Sequence, residues 1–420
     1  MKIHKTLLQI AWRNVFRNHR RTLLTMSVLV IGCMGVILIG GFFANAMSGL
    51  REQIIHSQYG HLQVNAEGYH QKGVTAPFEY LMKDVAQVER EIETTPHVLF
   101  TVPRLKISGM ASSDETSVSV IALGTDHLRE ERMGSMKAQN VTVPSIHLMA
   151  GQDLTESDPY GAIVGKGLLK ALGLKVGDTI NFMTTRQAGA IDGAPFHVRG
   201  VYETIVKDAD DHTMKVNLSI LQKIAGVSGE VHTLLVVLDD TENVDLVKPL
   251  LEKKLREAGL PVETLTWREV DTIFGQFNAL QQKINLIIQL IICVVFFFSV
   301  ANTVNMALME RIREFGTMMA IGNGRGSVFS MIFFEVLLFG LVGSVVGILA
   351  GCIAAKVVSA IGIQMPPPPL GTNPYTAVIT VNWPLMFRTF AISMVSTVLS
   401  GIIPAYRACH FRIVEALGYV

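Results

Sequence analysis

Four stretches of this chain carry no charged side chain, and each is long enough to cross a lipid bilayer. They lie between Arg21 and Arg51, between Lys283 and Glu310, between Glu335 and Lys356, and between Arg388 and Arg407. At about 1.5 Å rise per residue, about 20 residues cover a hydrocarbon core of about 30 Å. Inside lipid no water satisfies backbone N–H and C=O groups, so each stretch must fold as a helix. We place spans at 22–47, 284–308, 328–358 and 386–406. The 49% hydrophobic and 17% charged composition agrees: too apolar for an ordinary soluble chain, too charged for one lying wholly in lipid. The first run contains "ANA" at 44–46, which resembles a leader cleavage site. Its apolar core of about 20 residues exceeds the roughly 7–15 of a leader, so we read it as a span.

Orientation follows the lysines and arginines of the short flanks. Residues 1–21 hold Lys2, Lys5, Arg13, Arg17, Arg20 and Arg21 with no acid, and the 359–385 loop holds no charge. Both termini (1–21 and 407–420) and the 309–327 segment are therefore expected on the cytoplasmic side. Residues 48–283 and 359–385 are expected outside. The resulting fold class is an α-helical membrane protein with four transmembrane helices and a large α+β domain inserted between the first and second.

"IHKTLLQIAWRNVFRN" at 3–18 repeats apolar residues at helical spacing and predicts an amphipathic interfacial helix. The segment 48–283 is long enough for its own core and predicts two lobes. Helical pattern dominates 78–94. "SVSVIALG" at 117–124, "HTLLVVL" at 232–238, "GAIVG" at 161–165 and "APFHVRGVYET" read as strands. Residues 183–196 read as a polar hairpin tip, with Arg186, Gln187, Ile191, Pro195 and Phe196 as candidate partner contacts. From Thr266 the pattern turns helical and no proline interrupts 262–365, so one helix should run from this domain into the second span. "MPPPPLGTNP" at 365–374 predicts neither helix nor sheet.

Chemistry is sparse. "GAIVGKG" at 161–167 is one residue short of a phosphate loop and lacks the following Ser or Thr. "KDADDH" at 207–212 reads as a solvated loop, and His56, His61 and His70 show no ligand spacing. Cys33, Cys293, Cys352 and Cys409 leave the polar middle without thiols. No catalytic site, bound metal or cofactor is expected. The net charge of +1 offers no nucleic-acid footprint. In the third span Gly343, Gly347 and Gly351 recur every four residues, a spacing that lets helices approach closely in lipid. Glu335 is an acid within that span and needs a partner.

The segment "ERIREFGTMMAIGNGRGSVF" at 310–329 sits between two spans. Leu308, Ile312, Phe315 and Met319 make an apolar stripe, and Gly322 and Gly324 end the helix. An apolar stripe on a short segment outside lipid implies something that covers it.

This segment resembles the E-R-x-x-E-[IF]-G-x-x-x-A-[IL]-G signature of FtsX-like ABC permeases, which include the MacB and lipoprotein-releasing LolC/LolE types. The matching residues are Glu310, Arg311, Glu314, Gly316, Ala320, Ile321 and Gly322. "AWRNVFRNHRRTLL", "GHLQV" at 60–64, "VGKGLLKALGLKVGDTINF" and Glu335 with its following glycines are similar to other parts of that family. The resemblance implies a coupling helix seated on a separate ATPase, with Glu310, Arg311, Ile312, Glu314, Phe315, Gly316, Met319 and Gly322 at the junction. It implies ATP and Mg on two ATPase chains, not on this one. It also implies a homodimer or a heterodimer with a paralogue in a bacterial inner membrane, with the 48–283 domain in the periplasm. The layout is closer to LolC/LolE, so the expected function is mechanotransmission that releases or extrudes a lipoprotein or another amphiphile. A periplasmic carrier or adaptor is a further expected partner. Force transmission to a periplasmic hydrolase, or MacB-like efflux, remains open as an alternative.

Overall fold

The computed structural model describes residues 19–73, 75–136, 147–204, 207–366 and 375–410. They divide into two compact units. One comprises the described residues of Ser48–Gln276 and Met365–Tyr375. The other comprises the described residues of Met1–Met47, Phe277–Gln364 and Thr376–Val420. The expected helix at 3–18 lies outside the described residues.

The first unit is built on ten strands: β1 Leu62–Ala66, β2 Val98–Ser112, β3 Ser117–Thr125, β4 His147–Gly151, β5 Gly161–Gly165, β6 Thr179–Thr185, β7 Ile191–Glu203, β8 Thr213–Asn217, β9 Thr233–Leu238 and β10 Val262–Thr266. They form one sheet in the order β10-β1-β9-β2-β3-β8-β5-β7-β4, with β6 bridging β2 and β7. That bridge closes β2, β3, β8, β5, β7 and β6 into a ring. The pairs β3–β8 and β5–β7 are parallel, and the other pairs in the ring are antiparallel. Closure needs β6 to meet β2 over Met110–Ser112. Gly109 permits the approach, because a Cβ there would lie 2.4 Å from the Met183 carbonyl oxygen.

Alternation along each ring strand sends one side chain inward and the next outward. β6 shows this strictly: Ile180, Phe182 and Thr184 are buried while Thr179, Asn181, Met183 and Thr185 are exposed. Leu105, Ile107, Val120, Val164, Ile180, Phe182, Phe196, Val198, Met214 and Val216 share one apolar core. A second core lies under β1 and β9, where Leu62, Val64, Leu234 and Val236 pack with Val88, Ile92, Val247, Leu251 and Trp267. The expectation of two lobes thus meets two cores on one continuous sheet, joined by the 15-residue β2.

Three local expectations are corrected. The helical pattern at 78–94 is broken into a 3-10 turn Pro77–Tyr80 and a helix Val85–Glu93. Leu81 is extended between them, and Met82 is pulled into a bridge with Val231 because both bury their side chains. The segment Lys207–His212 is a short helix, not a loop. Its buried Asp210 accepts bonds from Thr204 N at 2.9 Å and Thr204 Oγ1 at 2.9 Å. Met365 belongs to a two-residue strand, Gln364–Met365, whereas the prolines after Pro366 lie outside the described residues.

The second unit is helical. Four long helices, His19–Ile54, Thr272–Glu310, Arg325–Ile361 and Trp383–Cys409, are each long and apolar enough to cross a membrane. Each is longer than the span assigned from the charge-free run, because helix continues past the apolar run into polar residues such as Arg51 and Glu52. Small residues mediate the close contacts. A Cβ on Gly343, Gly347 or Gly351 of the third helix would meet Leu29, Cys33 or Ile37 of the first at 2.7–2.9 Å. Hydroxyls add bonds where lipid offers none: Ser344 Oγ to Ser393 Oγ at 2.9 Å, and Ser396 Oγ to the Cys293 carbonyl at 2.7 Å.

Candidate functional site

The segment after the second long helix folds as its sequence dictates. The helix ends at Glu310. Arg311 leaves helical geometry at φ −115°, and a new helix runs Ile312–Ala320. Gly322 takes φ +101°, where a side chain would be strained, and Asn323 N–H returns to the Met318 carbonyl at 3.0 Å. Gly324 then precedes the third long helix at Arg325.

The apolar stripe points inward, which corrects the expectation that Ile312, Phe315 and Met319 form an outward gripping surface. Phe315 is buried among Leu308, Val328, Met331, Ile332, Val336 and Ala405, with Met319 packed at the edge. Ile312 and Gly316 are buried as well. The feet of the third and fourth long helices already cover this face. The outward face consists instead of Glu310, Arg313, Thr317, Ala320 and Ile321, followed by the exposed Gly322, Asn323 and Gly324. Ile321 is 80% exposed.

Arg311 holds the segment in place. Its Nε donates to Glu314 Oε2 at 2.9 Å and its Nη1 to Glu335 Oε2 at 3.3 Å, with the guanidinium 5.3 Å from the Phe315 ring centre. The acid in the third span therefore has its counter-charge on the residue that precedes the short helix. Of the signature residues, Arg311 and Glu314 are thus joined to each other, and through Arg311 to the third long helix.

The hairpin at 183–196 turns at Arg186–Ala190 between β6 and β7. Arg186 pairs with Asp192 at 3.1 Å, and Gln187 N–H bonds the Ala225 carbonyl at 3.0 Å. The tip is thus docked on the helix Leu218–Ala225. Ile191 is 78% exposed, and Gln187 and Pro195 are exposed. Phe196 is not available to a partner: it is fully buried and packs edge-on against Phe182, because its register turns it into the strand ring.

Sequence spacing gave no metal ligands, yet the fold brings the ligand atoms of Glu52, His56 and His61 within 4.8 Å of one another. Hydrogen bonding gives this cluster another role. Leu238 N–H donates to His61 Nδ1 at 3.1 Å, so the neutral ring carries its proton on Nε2. That N–H faces Thr241 Oγ1 at 3.1 Å, and the Thr241 hydroxyl donates to Glu52 Oε2 at 2.9 Å. A metal would need the Nε2 lone pair while Nδ1 still faces an N–H donor, and no neutral tautomer offers both. The cluster is a buried relay tying residues 52–61 to the end of β9.

Burial, with smaller contributions from neighbouring charges, lowers His61 to about 3, and burial lowers His232 to about 4. Both bind a proton more readily in the unfolded chain, whose histidines titrate near about 6.5. Their contribution is complete above that value and is lost as pH falls toward the folded values. The slope approaches about 1.4 kcal/mol per pH unit for each histidine. In urea unfolding of the sheet-bearing unit within the full chain, His61→Gln is expected to flatten the fall in stability between pH 7 and pH 5. An unchanged slope would remove His61 from this account.

Residues 22–254, more than half the chain, match the family model described as MacB-like periplasmic core domain, and residues 286–413 match the FtsX-like permease C-terminal model. An uncharacterized ABC transporter permease of Methanocaldococcus jannaschii is 21% identical, over 98% of this chain and 97% of its own. The uncharacterized ABC transporter permease YknZ of Bacillus subtilis is 22% identical, over 98% of each. Among solved structures, the periplasmic region of MacB from Actinobacillus actinomycetemcomitans covers 53% of this chain and 95% of its own, at 14% identity and a TM-score of 0.38. The extracellular domain of YknZ covers 49% and 99%, at 12% identity and 0.33. With a MacB-like core model over the sheet-bearing segment and an FtsX-like model over the last three long helices, the chain belongs to the FtsX-like ABC transporter permease family.

Proposed function

We propose that this chain is the membrane subunit of a mechanotransmitting ABC complex, driven by a separate ATPase that seats on residues 310–325. The observation that carries the reading is the packing of the helix Ile312–Ala320. Its buried face is fixed to the third and fourth long helices by Phe315 and by the Arg311–Glu335 pair. A push on the exposed face is therefore delivered to the feet of those helices without loss into a slack loop. The second long helix is separated from this short helix by Arg311 alone and runs unbroken for 39 residues from Thr272. A helix of that length is about 58 Å long and stiff, so it suits transmission to a domain on the opposite side of the bilayer. The domain carried between the first and second spans would face the periplasm. There it would act on a lipoprotein or another amphiphile already outside the cytoplasm, with Ile191 at the exposed hairpin tip available to a carrier. ATP and Mg belong to the two partner chains, and two permease copies or a paralogous pair complete the complex.

The test replaces the exposed contact and leaves the buried one alone. Ile321→Asp, in the full chain reconstituted with its ATPase, is expected to lower permease-stimulated ATP hydrolysis at least about tenfold, the loss of about 1.4 kcal/mol or more of coupling. Its thermal melting should stay at the parent value, because Ile321 supports no core. Undiminished stimulation in Ile321→Asp would remove this face from the ATPase contact.

A further inference from the structure

The first long helix does not stop at an ordinary cap. Ile54 is still helical, and Ile55–Tyr59 continue as one π turn, closed by Gly60 N–H on the Ile55 carbonyl at 2.8 Å. A π turn takes in one residue more than an α turn, and single π turns in helices are frequent at functional sites. Unpaired polar groups are concentrated here. Six buried side-chain polar atoms lack a partner among the described residues, and four belong to this place: His56 Nδ1, Ser57 Oγ and Gln58 Nε2 on the turn, and Trp267 Nε1. Trp267 shares a core with Ile54, Ile55 and Phe274. A native interior keeps few such groups and each is costly, so this turn is held in an arrangement that its own side chains oppose.

Arg104 holds it there. Its guanidinium donates to the Gln58 carbonyl and to the Ser57 carbonyl at 3.2 Å, at a helix end where carbonyls are left over and the dipole is negative. β2 pairs with β9 up to Arg104 and with β3 from Arg104 onward, so this residue stands where the second core meets the strand ring. On the ring side Glu130 accepts from Arg104 Nε at 3.2 Å and from Lys215 Nζ of β8 at 2.7 Å. One guanidinium thus joins the end of the first long helix to the ring. Further along, that helix meets the third at Leu29, Cys33 and Ile37, against Gly343, Gly347 and Gly351. The third helix in turn packs Val328, Met331 and Val336 on Phe315 of the short helix.

We propose that Ile55–Tyr59 is a two-state turn through which the first long helix acts on the strand ring. In the π state Arg104 latches it. Displacing the helix rewinds the turn into α geometry, with Tyr59 N–H on the Ile55 carbonyl and Gly60 N–H on the His56 carbonyl, and swings Ser57 and Gln58 out of their buried positions. Gly60, at φ +63°, absorbs the change. The proposal rests on the mechanotransmission reading above and adds a second path to the one through the second long helix. The test is hydrogen exchange of the full chain reconstituted with its ATPase, with and without a non-hydrolysable ATP analogue and Mg. Nucleotide is expected to speed exchange at residues 55–60 about tenfold. Arg104→Lys keeps a charge beside Glu130 but loses the fork, so the same residues should exchange about tenfold faster before nucleotide is added and gain little from it. Ser57→Ala removes an unpartnered hydroxyl and nothing else; it should melt no lower than the parent while its nucleotide response falls about threefold. Three results overturn the proposal: a lower melting temperature in Ser57→Ala, unchanged exchange in Arg104→Lys before nucleotide, or residues 55–60 of the parent ignoring nucleotide while residues 310–325 respond. No response at either segment fails the transmission reading beneath it as well.

Discussion

Gly347→Ile is expected to separate the first and third long helices and lower the melting temperature of the helical unit. A Cβ at this position would lie 2.7 Å from Cys33 Cβ and 3.2 Å from Val30 Cα. The second of these is backbone, so no rotamer change can make room, and the helix axes must move apart. Overpacking costs about 1–3 kcal/mol where a core can adjust, and more where backbone is the obstacle. The neighbouring contacts at Gly343 and Gly351 belong to the same face and would be lost with it. Gly35→Ile on the first helix is the control, because a Cβ there has nothing within 4 Å. Thermal melting of the purified full chain in detergent should show a loss of about 5 °C or more for Gly347→Ile and little change for Gly35→Ile. Equal melting of the two variants would mean that these helices do not meet through the glycine stripe.

The second large effect lies in the sheet-bearing unit. Glu130→Ala is expected to cost about 3–5 kcal/mol, because it leaves two buried cations without their counter-ion. Glu130 accepts from Arg104 Nη2 at 2.6 Å, from Lys215 Nζ at 2.7 Å and from Thr125 Oγ1 at 3.0 Å. All three ionic side chains are buried. Burial alone would raise the Glu130 carboxyl, but Arg104 and Lys215 hold it down to about 2. The stability it contributes is present above the usual glutamate range of about 4.5 and is lost as pH falls toward about 2. Acid therefore weakens this network and the His61 relay in the same direction.

The guanidinium also bonds the Gln58 carbonyl, and the Ser57 carbonyl at 3.2 Å. Those carbonyls belong to the π-helical turn Ile55–Tyr59 that Gly60 closes at φ +63°. Urea unfolding should show the drop in Glu130→Ala, and hydrogen exchange should show faster opening of residues 55–60. An unfolding free energy within about 1 kcal/mol of the parent would mean that the charges find water instead.

Much of the fold was legible because its signals are local. A charge-free run of about 20 residues states by itself that its backbone can live only as helix in lipid. The apolar run "TLLVVL" between polar flanks states a buried strand, and Gly322 after an apolar helical stripe states a helix end. Residues 310–325 could be singled out for the same reason, since the stripe and its glycine stop lie within one short segment.

What the sequence could not state is which surface meets which. The Ile312, Phe315 and Met319 stripe declares that one face must be covered, but an amphipathic pattern does not carry the identity of the cover. Packing assigned it to Val328, Val336 and Ala405, leaving Ile321 outside. Phe196 looked like part of a hairpin tip until pairing of β7 with β6, opposite the buried Ile180, set its register inward. Glu52 and His61 meet Thr241 only because β1 and β9 pair across a long stretch of chain. Periodicity and charge are properties of neighbours in sequence, and they determined the spans, the strands and the short helix. Burial, ion pairing and the direction of each face are properties of neighbours in space, so only the tertiary structure could decide them.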